Sequence, residues 1–388
     1  MTATGVRTAV LAAGGTGGHM FPAEALAREL RARGVAVVLV TDRRGAGFGG
    51  DLADVETHRI SAGGIAGGSP AKRLGGLLRL GLGCVQAYGL VRRLDPDAVV
   101  GFGAYAAAPT VLAASWLGRR VIVHEQNAVM GRANRLLARR ADLIATGFPR
   151  VQGLAETELR KARMTGNPVR PAIQAVGRQP YRAPRDGEEI HLLVVGGSQG
   201  AKVFNDAVPA AVARLPAALR GRLHIAQQVP GGDLDRVRGA YRDCGVQADL
   251  AGFFHDMPAR LAWAHLVIGR AGASTVAELA SARRPAILVP FPHATDDHQT
   301  ANARALADAG AGWLMAQPEL RPEALAGRLE SLLATPARLE TAAARAGDMA
   351  PGDAAGRLAD LVCGPANDNG DEVREDAAQP QDPKEAAA

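Results

Sequence analysis

Short apolar runs alternate with amphipathic segments along the first half of the chain. Residues 35–41 are almost entirely apolar, which is typical of a parallel strand buried on both faces. The pattern predicts strands at 8–12, 35–41, 97–102, 120–124 and 142–145, and helices at 23–33, 72–94, 106–117 and 128–140. This alternation favours a doubly wound parallel sheet.

The alternation stops after residue 164 and restarts at residue 191. Residues 171–189 are rich in Pro, Arg and Gln, and we interpret them as an inter-domain linker. The second half predicts strands at 191–195, 222–228, 247–251, 265–269, 285–290 and 311–315, and helices at 201–214, 233–243, 256–263, 274–283, 298–309 and 321–334. The fold class is therefore α/β, with two Rossmann-like domains.

These patterns predict where the domains begin and end. We expect a first domain at 1–167 and a second at 168–364, whose last helix is free to pack back on the first. Residues 365–388 are polar, acidic and nearly free of large apolar side chains, so we expect a disordered acidic tail.

Composition indicates the compartment. The three cysteines are an odd number without metal-like spacing, which fits a reducing environment. The N-terminus lacks the pattern of a signal peptide. No apolar run reaches the ~18–20 residues of a membrane-spanning helix, and we expect a cytoplasmic protein.

The charge distribution narrows the class of partner. Net charge is +6, and the acidic tail leaves about +11 on residues 1–367. A basic body suits nucleic acid, anionic lipid or phosphorylated substrates. The chain has no zinc finger, no aromatic RNA-binding signature and no run of five basic residues, so nucleic acid is the weakest of the three.

Glycine-rich turns precede three of the predicted helices, at 14–18, 101–103 and 196–200. Glycine lets the backbone bend sharply and lets a ligand approach it, and the amides at a helix start favour an anion. A dinucleotide fingerprint needs Gly-x-Gly-x-x-Gly, and Met20 takes the place of the third glycine in the first turn. The alternative is that these glycines only make tight turns, and three such turns favour ligand binding.

Two histidines stand out for their positions. His19 is the only titratable side chain in the first turn, and it either acts as a general base at neutral pH or caps the turn. His124 opens the polar run 124–127 at the end of a strand, where open α/β sheets bind ligands. This run is not a zinc motif, because Ala128 stands where the second histidine would be.

Two polar clusters in the second half are candidates for binding a diphosphate and sugar hydroxyls. Small and hydroxyl residues at 272–275 begin a helix and could receive a diphosphate, with Glu278 one turn further on. A carboxylate there suits two neutral ribose hydroxyls, whereas the simpler reading is a capped helix with one acid. The segment 293–299 suits sugar hydroxyls better than a metal, since Asp296 and Asp297 would point in opposite directions.

The segment 71–80 combines basic residues with Leu74, Leu77 and Leu78. Such a helix could dock on an anionic membrane surface. From these residues alone, an ordinary amphipathic domain helix is the better interpretation.

Together these motifs resemble the MurG family, the N-acetylglucosaminyltransferases of peptidoglycan synthesis. The resemblance extends over roughly residues 7–360 in the family's order, and the tail lies outside it. The segments that carry it are 14–19, 124–127, 166–170, 196–200, 270–278 and 290–302.

The resemblance implies a GT-B fold, in which two Rossmann-like domains face each other across a cleft. It implies transfer of N-acetylglucosamine from UDP-N-acetylglucosamine to lipid I, undecaprenyl-pyrophosphoryl-N-acetylmuramoyl-pentapeptide, with inversion and a β(1→4) linkage, giving lipid II. No metal or cofactor is implied. The expected location is peripheral, on the cytoplasmic face of the inner membrane, which supports the membrane interpretation of 72–82.

The resemblance also assigns roles by position. His19 is the first candidate for the general base and His124 the second. Glu278 would hold the ribose, Ser274 and Thr275 the diphosphate, and the backbone of Phe254 the uracil. The remaining donor contacts are Thr16, Gly17, Gly18, Asn127, Arg170, Ser198 and Gln299.

The chain departs from the family pattern at Ala104 and Gly269, where the family usually has Gly and Ser. A methyl group at position 104 could crowd the acceptor pyrophosphate, so these departures concern loop fit. Two other functions remain open on the residues alone. One is an NAD-type oxidoreductase, which the failed fingerprint disfavours, and the other is a membrane-associated scaffold without enzymatic activity.

Overall fold

Two parallel β-sheets, one in each half of the chain, carry the architecture. The computed structural model describes residues 5–14, 17–42, 52, 54–63, 70–197 and 200–364. The predicted tail at 365–388 therefore lies outside the described residues.

The first half forms a sheet of seven described strands, all paired in parallel, in the order β3-β2-β1-β4-β5-β6-β7. Its strands are β1 (Thr8–Ala12), β2 (Ala36–Thr41), β3 (Glu56–Arg59), β4 (Ala98–Gly101), β5 (Arg120–Glu125), β6 (Leu143–Thr146) and β7 (Ala162–Met164). Its helices are α1 (Gly17–Ala32), α2 (Pro70–Leu94), α3 (Ala104–Trp116), α4 (Arg132–Ala138), α5 (Glu156–Leu159) and α6 (Pro171–Gly177).

The second half forms a sheet of six described strands, also parallel, in the order β10-β9-β8-β11-β12-β13. Its strands are β8 (Ile190–Val195), β9 (Leu223–Gln228), β10 (Gln247–Ala251), β11 (Leu266–Gly269), β12 (Ala286–Leu288) and β13 (Gly312–Leu314). Its helices are α7 (Val203–Val212), α8 (Ala217–Arg220), α9 (Leu234–Asp243), α10 (Met257–Trp263), α11 (Ala273–Ser281), α12 (His298–Asp308), α13 (Pro322–Leu333), α14 (Pro336–Met349) and α15 (Ala354–Cys363). The predicted α/β class with two Rossmann-like sheets is confirmed.

Both sheets reverse their strand order at the first strand. β1 lies between β2 and β4, and β8 lies between β9 and β11. In open α/β sheets, ligands bind outside the carboxyl ends of the strands at such a reversal. The glycine-rich turns at 14–18 and 196–200 directly follow β1 and β8, so the topology brings both to a switch point.

The first helix begins earlier than its periodicity predicts. The pattern predicts a helix at 23–33, whereas α1 starts at Gly17 and includes Pro22. Apolar periodicity cannot register a first turn made of glycines and a histidine, because it contains no apolar stripe. As a result, His19 lies in the first turn of a helix, where backbone amides are unpaired.

The two strands that the pattern misses are β3 and β7, at the two edges of the first sheet. β3 reads Glu-Thr-His-Arg, and none of its residues is buried. Edge strands contact one neighbour and more solvent, so they lack the apolar run that marks a central strand.

Helix α6 forms within the predicted linker. Pro171 occupies its first turn, where a missing N–H costs nothing. Ile173 and Val176 are buried, and the helix packs against α10 and α11 of the second half. Part of 171–189 is therefore structured and contributes to the core of the second half.

The last helix returns to the first half. Leu358, Ala359 and Val362 of α15 are fully buried in the core beneath the first sheet, and the helix packs against α1. Arg33, directly after α1, donates to the carboxylate of Asp360 at 2.6 Å and to the carbonyl of Gly356 at 3.2 Å. The chain thus crosses between the halves twice.

The expectation that no segment is long and apolar enough to span a membrane is wrong for helix α2. Its segment Leu74–Leu94 reaches that length and hydropathy, since its glycines interrupt the run of large apolar side chains without adding charge. The helix nevertheless packs along α3, and Ala87, Leu90 and Val91 are buried in the domain core. Its other face is exposed, which makes it a surface helix of the first domain.

Leu358→Ala tests the docking of α15. We expect a loss of about 2–5 kcal/mol in the free energy of unfolding, because the change leaves a cavity at a fully buried site. Urea denaturation measures this loss. Leu136→Ala is the control, because that side chain is 74% exposed and its removal should change stability by no more than about 0.5 kcal/mol. Equal stability of the two variants would contradict the described packing of α15.

Candidate active site

A cavity of about 310 Å³ lies where the two halves meet. The first half lines it with His19, Tyr105 and the segment that follows β5, and the second half lines it with Thr295, Asp296 and His298. A larger cavity of about 700 Å³ lies beside α11 and the segment before α15, and none of the residues described as lining it is a predicted site residue.

Glu125, the last residue of β5, organises the segment that lines the smaller cavity. Its side chain is buried, and four N–H groups donate to its carboxylate. The backbone and side chain of Asn127 donate to Oε1 at 2.9 and 3.2 Å, while the backbone of Gly131 and the side chain of Asn134 donate to Oε2 at 2.8 and 2.9 Å. These bonds offset the cost of burying the carboxylate and hold residues 126–134 around the end of the strand.

His124 is fully buried, and both of its ring nitrogens are engaged. Nδ1 lies 3.0 Å from the Gln126 side-chain nitrogen, and Nε2 lies 3.2 Å from the Gly166 carbonyl oxygen. Burial lowers the pKa of His124 to about 4, so the ring is neutral at neutral pH. This environment suits a structural role better than proton transfer with a substrate.

His19 has a different environment. Its ring is only partly buried, and it lines the cavity. Nδ1 lies 3.2 Å from the Gln126 side-chain oxygen. Burial lowers the pKa of His19 below its usual value, although the Glu125 carboxylate, the Phe102 carbonyl and Gln126 act in the opposite direction. An imidazole that is neutral at pH 7 and borders a cavity can accept a proton.

Two helices begin at this cavity. The first turns of α1 and α3 contain no acidic residue, and Gly103 at the start of α3 provides no side-chain cap. Gly103 has φ 84°, and a Cβ there would lie 3.3 Å from Asn134 Nδ2 and 3.5 Å from His19 Cε1. Glycine therefore allows the close approach of α1, α3 and the β5 segment, and leaves helix-start amides available to an anion.

Asn302 of α12 connects the two halves across the cleft. Its side-chain oxygen accepts from the backbone of Ala128 at 2.8 Å, and its side-chain nitrogen donates to Asn127 Oδ1 at 3.1 Å and to the Ala271 carbonyl at 3.0 Å. An exposed ion pair between Arg132 and Asp296 spans the same seam at 2.8 Å. Asn127, a predicted donor contact, is thus part of the connection between the halves.

The glycine-rich turn of the second half is sterically tight. A Cβ on Gly196 would lie 2.2 Å from the Ala201 nitrogen, and Gly197 and Gly200 have φ of 75° and 69°. Gly196 donates its N–H to Gln228 Oε1 at 3.1 Å. The described glycines of this turn are therefore required by its backbone conformation. Ser198, a predicted donor contact in the same turn, lies outside the described residues.

Helix α11 begins beside this turn with the residues predicted to hold a diphosphate. Gly272 precedes it without a side-chain cap, and its first turn has no acidic residue. The hydroxyl oxygen of Ser274 is buried and has no hydrogen-bond partner among the described residues. A buried donor without a partner at a helix start suits a bound anion.

Glu278 and Arg170 are brought together across the chain. Arg170 donates to the Glu278 carboxylate at 3.1 Å, and its guanidinium carbon lies 5.3 Å from the centre of the Phe21 ring of α1. Burial raises the pKa of Glu278, and the Arg170 guanidinium acts against that rise. Arg170 thereby links the helix that carries His19 to the predicted ribose-binding acid.

The remaining predicted donor contacts differ in which of their atoms could still contact a ligand. Gln299 accepts the backbone N–H of Phe291 at 2.9 Å, which fixes the segment before α12. Phe254 has a buried side chain beneath the Arg260 guanidinium, so only its backbone could reach a base. Gly17 and Gly18 lie in the first turn of α1, whereas Thr16 lies outside the described residues.

Four residues of the site do not appear among the predicted contacts: Glu125, Gln126, Asn134 and Asn302. The sequence marks the polar run at the end of β5 but does not show which of its side chains point inward. Asn134 and Asn302 lie on separate helices, and only folding brings them to Glu125 and Asn127.

Comparison with known proteins reveals matches over both halves. A model of the glycosyltransferase family 28 N-terminal domain matches residues 9–146, and a model of the family 28 C-terminal domain matches residues 191–358.

Curated relatives and a solved structure match most of the chain. The UDP-N-acetylglucosamine--N-acetylmuramyl-(pentapeptide) pyrophosphoryl-undecaprenol N-acetylglucosamine transferase of Rhodospirillum centenum is 59% identical over 357 residues, covering 92% of this chain and 94% of the relative. The protein of the same name from Rhodospirillum rubrum is 54% identical over 359 residues, 92% of each chain. The crystal structure of Acinetobacter baumannii MurG is 31% identical, with a TM-score of 0.74, and the match covers 92% of this chain and 99% of that one.

His124→Asn tests the burial of His124 through the pH dependence of stability. The pKa in the folded state is about 4, below the usual 6.5, so between these values the unfolded chain binds a proton that the folded chain excludes. Stability is therefore lost as the pH falls from 6.5 towards 4. Between pH 7 and pH 5 this group should account for about 2 kcal/mol of that loss. Urea denaturation at both pH values should show a correspondingly smaller loss of unfolding free energy in the variant. An equal loss in both proteins would rule out the lowered pKa of a buried His124.

Proposed function

Since the chain belongs to glycosyltransferase family 28, and to the MurG transferases within it, we propose that the seam between its two sheets is the active site of this reaction. The enzyme transfers N-acetylglucosamine from UDP-N-acetylglucosamine to lipid I, which gives lipid II for peptidoglycan synthesis. One observation carries the placement of the site: His19 lines a cavity to which both halves contribute residues. Arg170 also connects the helix that carries His19 to Glu278.

The donor nucleotide binds on the second half in this proposal. The start of α11 receives the diphosphate, through Thr275 and the Ser274 hydroxyl, which has no partner in the described part of the chain. Glu278 accepts hydrogen bonds from the ribose hydroxyls, and Arg170, which donates to the Glu278 carboxylate, is itself a donor contact. The backbone at Phe254 contacts the uracil. Thr16, Gly17, Gly18, Asn127, Ser198 and Gln299 complete the proposed donor contacts.

The acceptor binds on the first half. Its pyrophosphate requires a site for a multivalent anion, and the starts of α1 and α3 provide backbone amides with no acidic residue in either first turn. Gly103 keeps this approach open beside His19. Ala104 lies at the start of α3, so the acceptor contacts its backbone at the position where the family usually has glycine.

The chemistry is a direct displacement with inversion. The acceptor hydroxyl oxygen attacks the anomeric carbon, the bond from that carbon to the UDP oxygen breaks, and His19 takes the hydroxyl proton. The amides at the start of α11 stabilise the charge that develops on UDP, as preorganised dipoles do. We assign the base to His19 rather than His124, because both nitrogens of His124 are engaged in the interior.

The membrane-facing surface in this proposal is the exposed face of α2. Leu74, Leu78, Leu82 and Val85 lie on one stripe and are each more than half exposed, and the exposed Arg79 lies beside them. Such a surface fits peripheral binding to an anionic leaflet, where the lipid acceptor lies. Spanning is disfavoured, because the opposite face of α2 is buried in the domain core. The enzyme would then act on the cytoplasmic face of the inner membrane.

His19→Ala tests the assignment of the base. We expect kcat to fall by about 10²–10⁴-fold, because the proton of the attacking hydroxyl loses its acceptor. The assay follows transfer of labelled N-acetylglucosamine from UDP-N-acetylglucosamine to lipid I. His58→Ala is the matched control, since His58 lies on the edge strand β3 and should leave kcat unchanged. Near-normal kcat in His19→Ala would remove His19 from this role, and no transfer by the wild-type enzyme would refute the function.

Substitution of Leu78 and Val85 by Gln tests the membrane-facing surface. The double variant should bind vesicles that contain phosphatidylglycerol at least about tenfold more weakly, because two exposed apolar side chains no longer enter the interface. Vesicle sedimentation measures this, and transfer to a short-chain, water-soluble acceptor should stay near the wild-type rate. Leu136→Gln is the control, an exposed leucine on α4. Unchanged binding of the double variant would place the membrane contact elsewhere.

A further inference from the structure

The side-chain amide of Gln126 lies between the two histidines of the site. Its nitrogen is 3.0 Å from His124 Nδ1, and its oxygen is 3.2 Å from His19 Nδ1. Gln126 is buried, so these contacts are not exchanged with solvent. The direction of each hydrogen bond around this amide decides which nitrogen of His19 carries a proton.

Two backbone carbonyls determine the orientation of the amide. The Gln126 nitrogen lies 3.0 Å from the Phe102 carbonyl oxygen and 3.2 Å from the His124 carbonyl oxygen. A carbonyl oxygen only accepts, so the group facing these two atoms must be the NH₂ group. The opposite orientation would bring three oxygens together without a proton in a buried site, which is unfavourable because it leaves buried acceptors unpaired.

The orientation of the amide determines the tautomer of His19. The Gln126 oxygen faces His19 Nδ1, and this oxygen can only accept a hydrogen bond. In the neutral imidazole, Nδ1 must therefore carry the proton and Nε2 must be bare. Since Nδ1 is turned towards Gln126, Nε2 is the nitrogen left for the cavity that His19 lines.

His124 stabilises this arrangement from the other side. The NH₂ group of Gln126 cannot accept, so His124 Nδ1 cannot donate to it, and the two NH₂ protons are shared among this nitrogen and the Phe102 and His124 carbonyl oxygens. The proton of the neutral His124 ring therefore lies on Nε2 and is donated to the Gly166 carbonyl. The result is one directed chain of hydrogen bonds: His19 to Gln126, Gln126 to His124, and His124 to Gly166. This chain of hydrogen bonds begins at the cavity, with His19, and ends at Gly166, in the segment that leaves the first sheet.

We propose that Gln126 is a positioning residue that holds His19 in the Nδ1–H tautomer, with Nε2 unprotonated and ready to accept the proton of the acceptor hydroxyl. This inference rests on the proposed role of His19 as the base. The partner on the second ring nitrogen generally sets which nitrogen of a catalytic histidine is free. Here a neutral amide does so, and its own orientation is determined by two carbonyl groups and a buried histidine.

The tautomer can be measured without activity. The full-length protein is labelled with ¹⁵N-histidine, and long-range ¹H–¹⁵N correlation spectra at pH 7.5 distinguish protonated from bare ring nitrogens. The resonances of His19 are those that disappear in His19→Ala. We expect a protonated Nδ1 and a bare Nε2 for His19, and the reverse for His124. A wild-type His19 with its proton on Nε2 would overturn the proposal, whatever the behaviour of any variant.

Gln126→Met tests the consequence for catalysis. Methionine keeps the length of the side chain and removes both the acceptor for His19 and the donor to His124. We expect His19 to shift towards the Nε2–H form, kcat to fall by about 10–100-fold, and KM for both substrates to change less than about threefold. Gln152→Met is the matched control, because this exposed glutamine bonds the same segment through its backbone, and the variant should retain both the His19 tautomer and kcat.

The two measurements together distinguish a positioning role from a structural one. A fall in kcat with an unchanged His19 tautomer would show that Gln126 only supports the fold, and a changed tautomer with normal kcat would show that the tautomer does not matter. Either outcome would overturn the proposal. Absence of transfer by the wild-type enzyme would instead refute the proposed function, while the tautomer of His19 would still be measurable.

Discussion

The site depends on one buried carboxylate. Glu125 ends a central strand, and the four N–H groups that donate to it belong to residues up to nine positions further along the chain. A buried carboxylate without such partners would cost several kcal/mol. Residues 126–134 are therefore held in the arrangement that supplies these four hydrogen bonds to the carboxylate. That arrangement presents Asn127 to the second half and turns Gln126 into the interior between the two histidines.

The rest of the proposed site depends on the contact between the two halves of the chain. The proposed site needs both halves: His19 and the starts of α1 and α3 belong to the first, while Ser274 and Glu278 belong to the second. Asn302 joins the halves by direct hydrogen bonds to the segment that Glu125 holds. The proposed donor side and the proposed base are thus connected through short polar contacts at the seam, which suits a reaction between two substrates bound on different domains.

Prediction from sequence succeeded where an element is long and buried on both faces. The central strands are mostly apolar, and their helices keep an apolar stripe, so their positions agree with the structure to within a few residues. It failed for β3, whose polar residues lie at a sheet edge, and for the first turn of α1, which has no side chains that show a period. The glycine-rich turns and the polar run at 124–127 were found because their residue types are unusual for their positions.

The sequence alone determined the α/β class, the two-domain arrangement and, through its motifs, the family. Those features depend on local patterns and residue types, which the order of amino acids states directly. Only the tertiary structure decided which polar groups face each other. Both His19 and His124 were candidates for the base, and the difference between them lies in distant partners such as Gly166 and Gln126. Hydrogen-bond direction depends on atoms that approach within about 3 Å in space, and distance along the chain does not predict that approach.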